Sequence, residues 1–276
     1  MAAVVGIEAL TSLVPPPAVP VGAEGDWHRV EADLGLRLPA DYRELVTRYG
    51  SGGFGDIGLL TPFDPCAGGA GSLVGRAHAL LDLHGPFRDE WPEDVPFPLH
   101  PEPGGVLEWA LTGNGDALCW LTEGDPDDWP TVVWNVRGGA ERFDLGAVAL
   151  LHGYLVGRCE ARLLPAPPSV PWFDPYRELS HVCFTLSDGE LPYVERLRIL
   201  RAALHPTADR GGFDNGDGVR QDHFKAVARE WRLTYENCYG HQVRVAFPPA
   251  EADEVRAVVL DAARTMGCEV LATTTR

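Results

Sequence analysis

The sequence predicts an α+β protein of two domains, and three observations support that prediction. In residues 38–49, apolar side chains recur at the three- and four-residue spacing of an amphipathic helix. Farther along, short apolar segments separated by turn residues are typical of antiparallel strands. Between the two domains, residues 164–171 contain four prolines, which favour an extended linker over a helix or a central strand.

The first domain, residues 1–165, is expected to place helices around a meandering, mainly antiparallel sheet. Hydrophobic spacing and flanking glycine or proline predict helices at 7–13, 26–35, 38–49, 72–83 and 146–158. Alternation and turn residues predict strands at 57–60, 107–112, 117–121 and 131–136. Residues 62–71 and 85–105 are rich in proline and are expected to be irregular.

The predicted helix 38–49 runs into a glycine-rich stretch. Gly50, Gly52 and Gly55 match G-x-G-x-x-G, the pattern that binds dinucleotide phosphates where a strand leads into a helix. Here the glycines follow a helix, and the C-terminal end of a helix carries partial negative charge. We therefore interpret them as residues that end the helix and reverse the chain, and we predict no cofactor.

Two blocks of the sequence resemble the signature of the SUKH superfamily, which includes the yeast cell-wall regulator and many bacterial immunity proteins. The first block comprises Trp27, Gly35, Leu38, Pro39, Tyr42, Tyr49, Gly50, Gly52 and Gly53. The second block, residues 109–121 with Trp120, is similar to the central hairpin of that family. The resemblance covers roughly residues 20–165 and implies an α+β fold and a protein-binding role without a catalytic site.

The second domain, residues 176–276, follows a proline-rich linker at 166–175. Its predicted strands are 181–186, 231–238, 241–247 and 269–274, and its predicted helices are 191–204 and 251–266. The resulting order, βαββαβ, is that of a ferredoxin-like split unit. Residues 207–222 are rich in glycine and aspartate and are expected to form a surface loop. We recognise no family for this half.

The charge excludes some partners and favours others. The 276 residues carry a net charge of −17. Residues 1–165 contain ten arginines and no lysine against 24 acidic residues, a net charge of −14, so the first domain carries most of the acidity. Such a surface disfavours nucleic acid and anionic membranes, and it attracts basic proteins.

The sequence also predicts a cytoplasmic protein. The N-terminal segment lacks a basic region and contains Glu8, so it does not read as a signal peptide. No apolar run approaches the ~20 residues that span a bilayer. The cysteines are scattered singly, which is typical of reduced thiols in the cytoplasm: they are Cys66, Cys119, Cys159, Cys183, Cys238 and Cys268.

The sequence predicts no metal ion and no catalytic residues. Cys238 and His241 have only two residues between them, but no second pair completes a zinc motif. The acidic residues of 209–217 do not follow the spacing of a calcium loop, and no serine lies in a nucleophile elbow. A Cys/His pair formed in space by residues distant along the chain remains an open alternative.

Two acidic segments, residues 89–94 and 123–130, combine carboxylates with tryptophan and proline. We predict that they contact a partner protein, with Trp91 or Trp129 as the apolar anchor. The predicted partner-binding residues are Glu93, Asp94, Glu123, Asp125, Asp127, Asp128 and Trp129. The alternative is a solvated acidic surface whose tryptophans pack inward, as is expected of Trp27 and Trp120.

The favoured functional hypothesis is an immunity protein that neutralises a cognate bacterial toxin by direct binding. An acidic inhibitor suits a basic, nuclease-type toxin because their charges attract. A regulatory scaffold or adaptor that binds host proteins is a second hypothesis. A small enzyme with an unrecognised site is a third.

Overall fold

The computed structural model describes residues 6–63, 71–135, 139–159 and 161–275. The chain divides into two compact units, 1–176 and 177–276, each built from helices and an antiparallel sheet. This confirms the predicted α+β class. Cys66, the end of the predicted strand at Val136, and part of the predicted loop 62–71 lie outside the described residues.

The first unit surrounds a seven-stranded sheet with helices. Its helices are α1 (Ile7–Leu13), α2 (Trp27–Leu34), α3 (Ala40–Tyr49), α4 (Leu73–Glu90) and α5 (Ala147–Leu155). Its strands are β1 (Gly52–Phe54), β2 (Ile57–Leu59), β3 (Val106–Thr112), β4 (Ala117–Leu121), β5 (Thr131–Asn135), β6 (Gly139–Phe143) and β7 (Phe173–Pro175). The spatial order is β6-β5-β4-β3-β2-β1-β7, and all neighbours pair antiparallel.

Each face of this sheet has its own apolar core. Successive strand residues point to opposite faces, so Leu118 and Trp120 of β4 join the core formed with α3 and α5. Ala117 and Cys119 join the other core, which contains Leu80 of α4. The sheet therefore holds α3 and the second half of α4 on opposite sides.

Two tyrosine hydroxyls link helix α3 to the segments that follow β2 and α1. The Tyr42 hydroxyl donates a hydrogen bond to the carbonyl of Leu60, just after β2. The Tyr49 hydroxyl donates to the carbonyl of Val14 at 2.5 Å, just after α1. Both tyrosines are fully buried, so these bonds satisfy hydroxyls that water does not reach.

Several sequence predictions for the first unit were wrong in detail. Gly52 and Gly53 belong to β1 rather than to a turn, and β6 was not predicted. Helix α4 does not end at residue 83 but continues through Gly85 and Pro86 to Glu90. An interior proline removes one amide donor and crowds the carbonyl four residues earlier, and the contacts of Arg76 and His84 with Glu108 and of Arg88 with Glu102 hold this helix in place on both sides of Pro86.

The predicted linker 166–175 also contains a strand. Phe173, Asp174 and Pro175 form β7, which pairs with β1 through Phe54, Gly53 and Gly52 respectively. β7 lies at the edge of the sheet, the position where a strand tolerates proline.

The second unit packs two helices on a six-stranded sheet. Its strands are β8 (Ser180–Leu186), β9 (Thr207–Asp214), β10 (Arg220–Ala226), β11 (Trp231–Glu236), β12 (Gln242–Phe247) and β13 (Val270–Thr275). Its helices are α6 (Tyr193–Ala203) and α7 (Ala252–Thr265). The spatial order is β13-β8-β12-β11-β10-β9, with all neighbours antiparallel.

The expected surface loop 207–222 is instead most of a β-hairpin. β9 pairs with β10, which in turn pairs with β11, so the hairpin extends the sheet at one edge. The glycines and aspartates of 209–217 lie in the turn of this hairpin and in the edge strand β9, which lacks a regular alternation of buried and exposed residues. In β9, Thr207 and Ala208 are half-buried, whereas Gly211 to Asp214 are exposed.

No helix within the described ranges combines the length and the apolar character that a membrane span requires.

Two glycines that end helices allow a controlled test of the packing around α3. Gly35 after α2 and Gly50 after α3 have φ of +70° and +68°. A Cβ at Gly35 would meet nothing within 4 Å, whereas one at Gly50 would lie 2.8 Å from the backbone nitrogen of Val21.

We therefore expect Gly50→Ala to lower the free energy of unfolding by about 3 kcal/mol and Gly35→Ala by about 1 kcal/mol. Urea titration followed by tryptophan fluorescence measures this, because seven of the eight tryptophans belong to the first unit. Equal losses for the two variants would show that the contact with Val21 contributes nothing.

Candidate functional site

The acidic turn, residues 123–130, connects β4 to β5 and is bonded to the start of α3. Pro126–Asp128 form a short 3₁₀ turn within it. One carboxylate oxygen of Asp127 accepts a hydrogen bond from the backbone N–H of Ala40 at 2.6 Å. Asp125 accepts from the N–H of Asp127 at 3.1 Å and lies 3.6 Å from the guanidinium of Arg37.

Asp127 therefore caps a helix that cannot cap itself. The residue before α3 is Pro39, which has no side-chain acceptor. The same arrangement recurs at α5, where Gly146 precedes the helix and Asp41 of α3 accepts from the N–H of Val148 at 3.2 Å. Burial raises the pKa of Asp41, and the nearby charge of Asp127 raises it further.

These contacts correct two of the predicted partner-binding residues. Asp127 is exposed, but its carboxylate is committed to α3. Trp129 is only 4% exposed and lies in the main core, with its ring 6.2 Å from that of Trp120. Trp129 therefore anchors the turn from inside and offers no apolar surface to a partner.

The remaining carboxylates of the acidic turn face solvent. Glu123, Asp125 and Asp128 are exposed. Glu123 and Asp128 form no ion pair with any described residue, and Asp125 is only loosely paired with Arg37. The turn thus holds three negative groups outward while Asp127 and Trp129 fix its backbone.

The second acidic segment, residues 89–94, forms the end of α4 and the turn that follows. Glu93 is exposed. Asp94 is half-buried, and its backbone carbonyl accepts a hydrogen bond from the indole of Trp134 at 3.1 Å. Trp91 is 42% exposed, and its ring lies 5.9 Å from that of Phe87. Of the two tryptophans predicted as anchors, Trp91 is therefore the accessible one.

A buried charge cluster attaches α4 to the sheet. The carboxylate of Glu108 in β3 accepts hydrogen bonds from the guanidinium of Arg76 in α4, and His84 of the same helix lies 3.7 Å from it. Burial alone would raise the pKa of Glu108, but the contacts with His84 and Arg76 lower it overall. The His84 ring also packs against Trp134, 4.8 Å away. These contacts determine which side of α4 faces outward.

The two acidic segments do not converge. The turn 123–130 is bonded to α3 on one face of the sheet, whereas Asp94 contacts Trp134, which belongs to the core of the other face. The two segments therefore belong to different surfaces of the first unit, and whether either contacts a partner stays a prediction. Glu123, Asp125 and Asp128 form one exposed acidic surface, and Glu93 belongs to another.

The residues that carry the SUKH resemblance serve the interior and the turns of the first unit. Tyr42, Tyr49 and Trp120 are fully buried, Leu38 is 2% exposed, and Trp27 is half-buried against the ring of Phe63. Pro39, Gly35 and Gly50 flank helices, and Gly52 and Gly53 lie where β1 approaches its neighbours.

Sequence reasoning missed two exposed apolar residues of α4, Leu83 and Phe87. They are 41% and 37% exposed and lie about two turns and one turn, respectively, before Trp91. The four-residue spacing of the three side chains was a visible signal. Gly85 and Pro86 mask this signal, because both residue types usually end a helix.

The other features considered for chemistry are held by local hydrogen bonds. The two ring nitrogens of His241 contact the Tyr235 hydroxyl at 2.8 Å and the Ser187 carbonyl at 2.7 Å. Asp214 and Asn215 accept hydrogen bonds from backbone amides of their own turn. Within the described ranges, no three His, Cys, Asp or Glu side chains are grouped to hold a metal ion.

Comparison with known proteins gave no match: no family model, no curated protein sequence and no solved structure matches this chain.

The role assigned to Asp127 predicts different outcomes for two neighbouring carboxylates. Asp127→Ala should lower the free energy of unfolding by about 1 kcal/mol, because it removes the cap of α3. Asp127→Asn keeps an acceptor oxygen and should lose less. Asp128→Ala should stay within about 0.5 kcal/mol of the unsubstituted chain, since its side chain makes no hydrogen bond among the described residues.

Urea titration monitored by tryptophan fluorescence compares the three variants. If Asp127→Ala and Asp128→Ala behave alike, the bond to Ala40 does not stabilise the helix.

Proposed function

We propose that this chain is a non-enzymatic immunity protein that binds and neutralises a cognate bacterial toxin, with a basic, nuclease-type toxin as the partner. One observation carries the proposal. Six exposed carboxylates of the first unit, in and beside the two acidic segments, make no ion pair with a described residue. They are Asp82, Asp89, Glu90, Glu93, Glu123 and Asp128. Unneutralised surface charge of one sign speeds encounter with a partner of the opposite sign.

The resemblance to SUKH proteins supports the same proposal for the first unit. A SUKH-like domain implies protein binding, and the residues that carry the resemblance are used for packing and turns rather than for a site.

For the second unit we propose a ferredoxin-like domain with an added hairpin. Without β9 and β10, the strands follow the order β13-β8-β12-β11, and a helix follows the first and the third of these strands along the chain. This order supports the split βαββαβ arrangement. We also propose that the protein acts in the cytoplasm, which the scattering of single cysteines along the sequence supports, because this is typical of reduced thiols.

The proposal predicts that a secreted toxin is encoded immediately upstream of the gene for this chain, and this upstream toxin provides the test. Co-expression should protect cells from that toxin, and the purified proteins should associate more slowly as salt is raised, because salt screens the attraction. Absence of any such toxin gene, or a toxin that neither binds nor is neutralised, would contradict the proposal.

Charge reversal then asks which acidic segment the toxin meets. Glu123→Lys/Asp125→Lys/Asp128→Lys changes the acidic turn and leaves the Asp127 side chain intact; because Asp125 accepts a hydrogen bond from the N–H of Asp127, thermal unfolding checks that this variant keeps its fold. Asp89→Lys/Glu90→Lys/Glu93→Lys changes the end of α4. If a segment faces the bound toxin, reversing its charge should lower the rate at which the chain associates with the toxin about tenfold at low ionic strength.

A third triple, Asp188→Lys/Glu190→Lys/Asp253→Lys, reverses three exposed carboxylates of the second unit and serves as the charge-matched control. Stopped-flow fluorescence measures the rates. If all three variants slow association equally, net charge alone acts and neither acidic segment is the interface.

A further inference from the structure

Leu83 and Phe87 of α4, with Trp91 directly after its last residue, form an apolar stripe along one flank of the helix. They recur every four residues, and the Phe87 and Trp91 rings lie 5.9 Å apart. Their side chains remain between 37% and 42% exposed. A contiguous exposed apolar surface that contains two aromatic side chains is typical of a protein-binding site, where such residues act as anchors.

The stripe is held in a fixed position. At its C-terminal end, the backbone N–H of Trp91 donates to the Phe87 carbonyl at 2.6 Å, and the N–H of Asp94 donates to the Trp91 carbonyl at 3.0 Å. Arg88 forms an ion pair with Glu102 at 2.8 Å. On the inner side, His84 and Arg76 contact buried Glu108. A surface already ordered in the free protein loses less entropy on binding.

Acidic residues border the stripe on its solvent side. At 100° per residue, Asp82, Asp89 and Glu90 lie on the outer face of α4, beyond Leu83 and Phe87. Glu93 follows in the next turn. All four carboxylates are exposed and none is ion-paired with a described residue. The surface therefore combines an apolar stripe with acidic residues along one side of it.

We propose that this α4 surface is the docking site for a basic protein whose contact face has an apolar centre bordered by lysine or arginine. The proposal rests on the proposed function and gives it an interface. Charge complementarity selects this occupant, because a second copy of the chain would bring an identical acidic border against the first. An anionic lipid surface is disfavoured for the same reason.

A pair of synthetic helical peptides tests the chemistry of the site without a toxin. Both peptides carry leucine and phenylalanine along one face; one places lysines beside that face, and the other places glutamates there. Fluorescence anisotropy with the full chain should show binding of the lysine peptide and none of the glutamate peptide at the same concentrations. Failure of the lysine peptide to bind, or equal binding of both, would overturn the proposal.

Variants then locate the contact. Phe87→Ala/Trp91→Ala should weaken binding of the lysine peptide about tenfold or more, because both anchors are lost. Leu191→Ala/Val194→Ala removes two comparably exposed apolar side chains from the second unit and should leave the affinity unchanged. Equal effects of the two double variants would overturn the proposal. Thermal unfolding of each variant confirms that it remains folded, as expected for exposed positions.

Two further results separate this inference from the immunity proposal. If the upstream toxin binds the chain and Phe87→Ala/Trp91→Ala leaves its dissociation rate unchanged, the interface lies elsewhere and only the docking site is wrong. If the toxin does not bind but the lysine peptide binds at α4, the docking site stands and the immunity proposal fails. Sedimentation that shows a dimer lost in Phe87→Ala/Trp91→Ala would assign the stripe to a second copy and overturn the docking proposal.

Discussion

The hydrogen bond by which Asp127 caps α3 ties the acidic turn to the helices of the first unit. Helix ends leave backbone N–H groups without partners, and α3 follows a proline that supplies no acceptor. Asp127, 87 residues farther along the chain than Ala40, provides it. Asp41 of the capped helix then accepts from the start of α5. Two consecutive caps thus join the β4–β5 connection, α3 and α5, so the acidic turn is part of the fold.

The carboxylates of the first unit fall into two classes: those bonded within the fold, and those that are free to contact a partner protein. Asp127 and Asp41 are bonded to backbone amides, and Glu108 is buried against Arg76. Glu123 and Asp128, like the acids at the end of α4, have no such partner among the described residues. An acidic composition alone does not distinguish the two classes, because both contribute equally to net charge. Only the unbonded class can be exchanged for another charge without a cost in folding.

Local patterns in the sequence predicted much of the fold but little of the surface. The spacing of Tyr42 and Tyr49 predicted α3, and the apolar segments around Trp120 predicted the central strands. The sequence prediction ended α4 at residue 83, because whether Pro86 breaks the helix depends on packing that a local pattern does not show. Burial of Trp129 and the bond from Ala40 to Asp127 arise between residues distant along the chain. The exposure of Trp91 is likewise set by the contacts of α4 with the sheet.

Binding of a basic protein to the acidic and apolar surface of α4, as we propose, should protect the backbone amides of that surface. Hydrogen–deuterium exchange on the full chain, with and without the secreted toxin that the proposed function expects, measures this protection segment by segment. Bound toxin should slow exchange in residues 80–94, with little change in the second unit. Protection confined to other segments, with residues 80–94 exchanging as in the free chain, would contradict it.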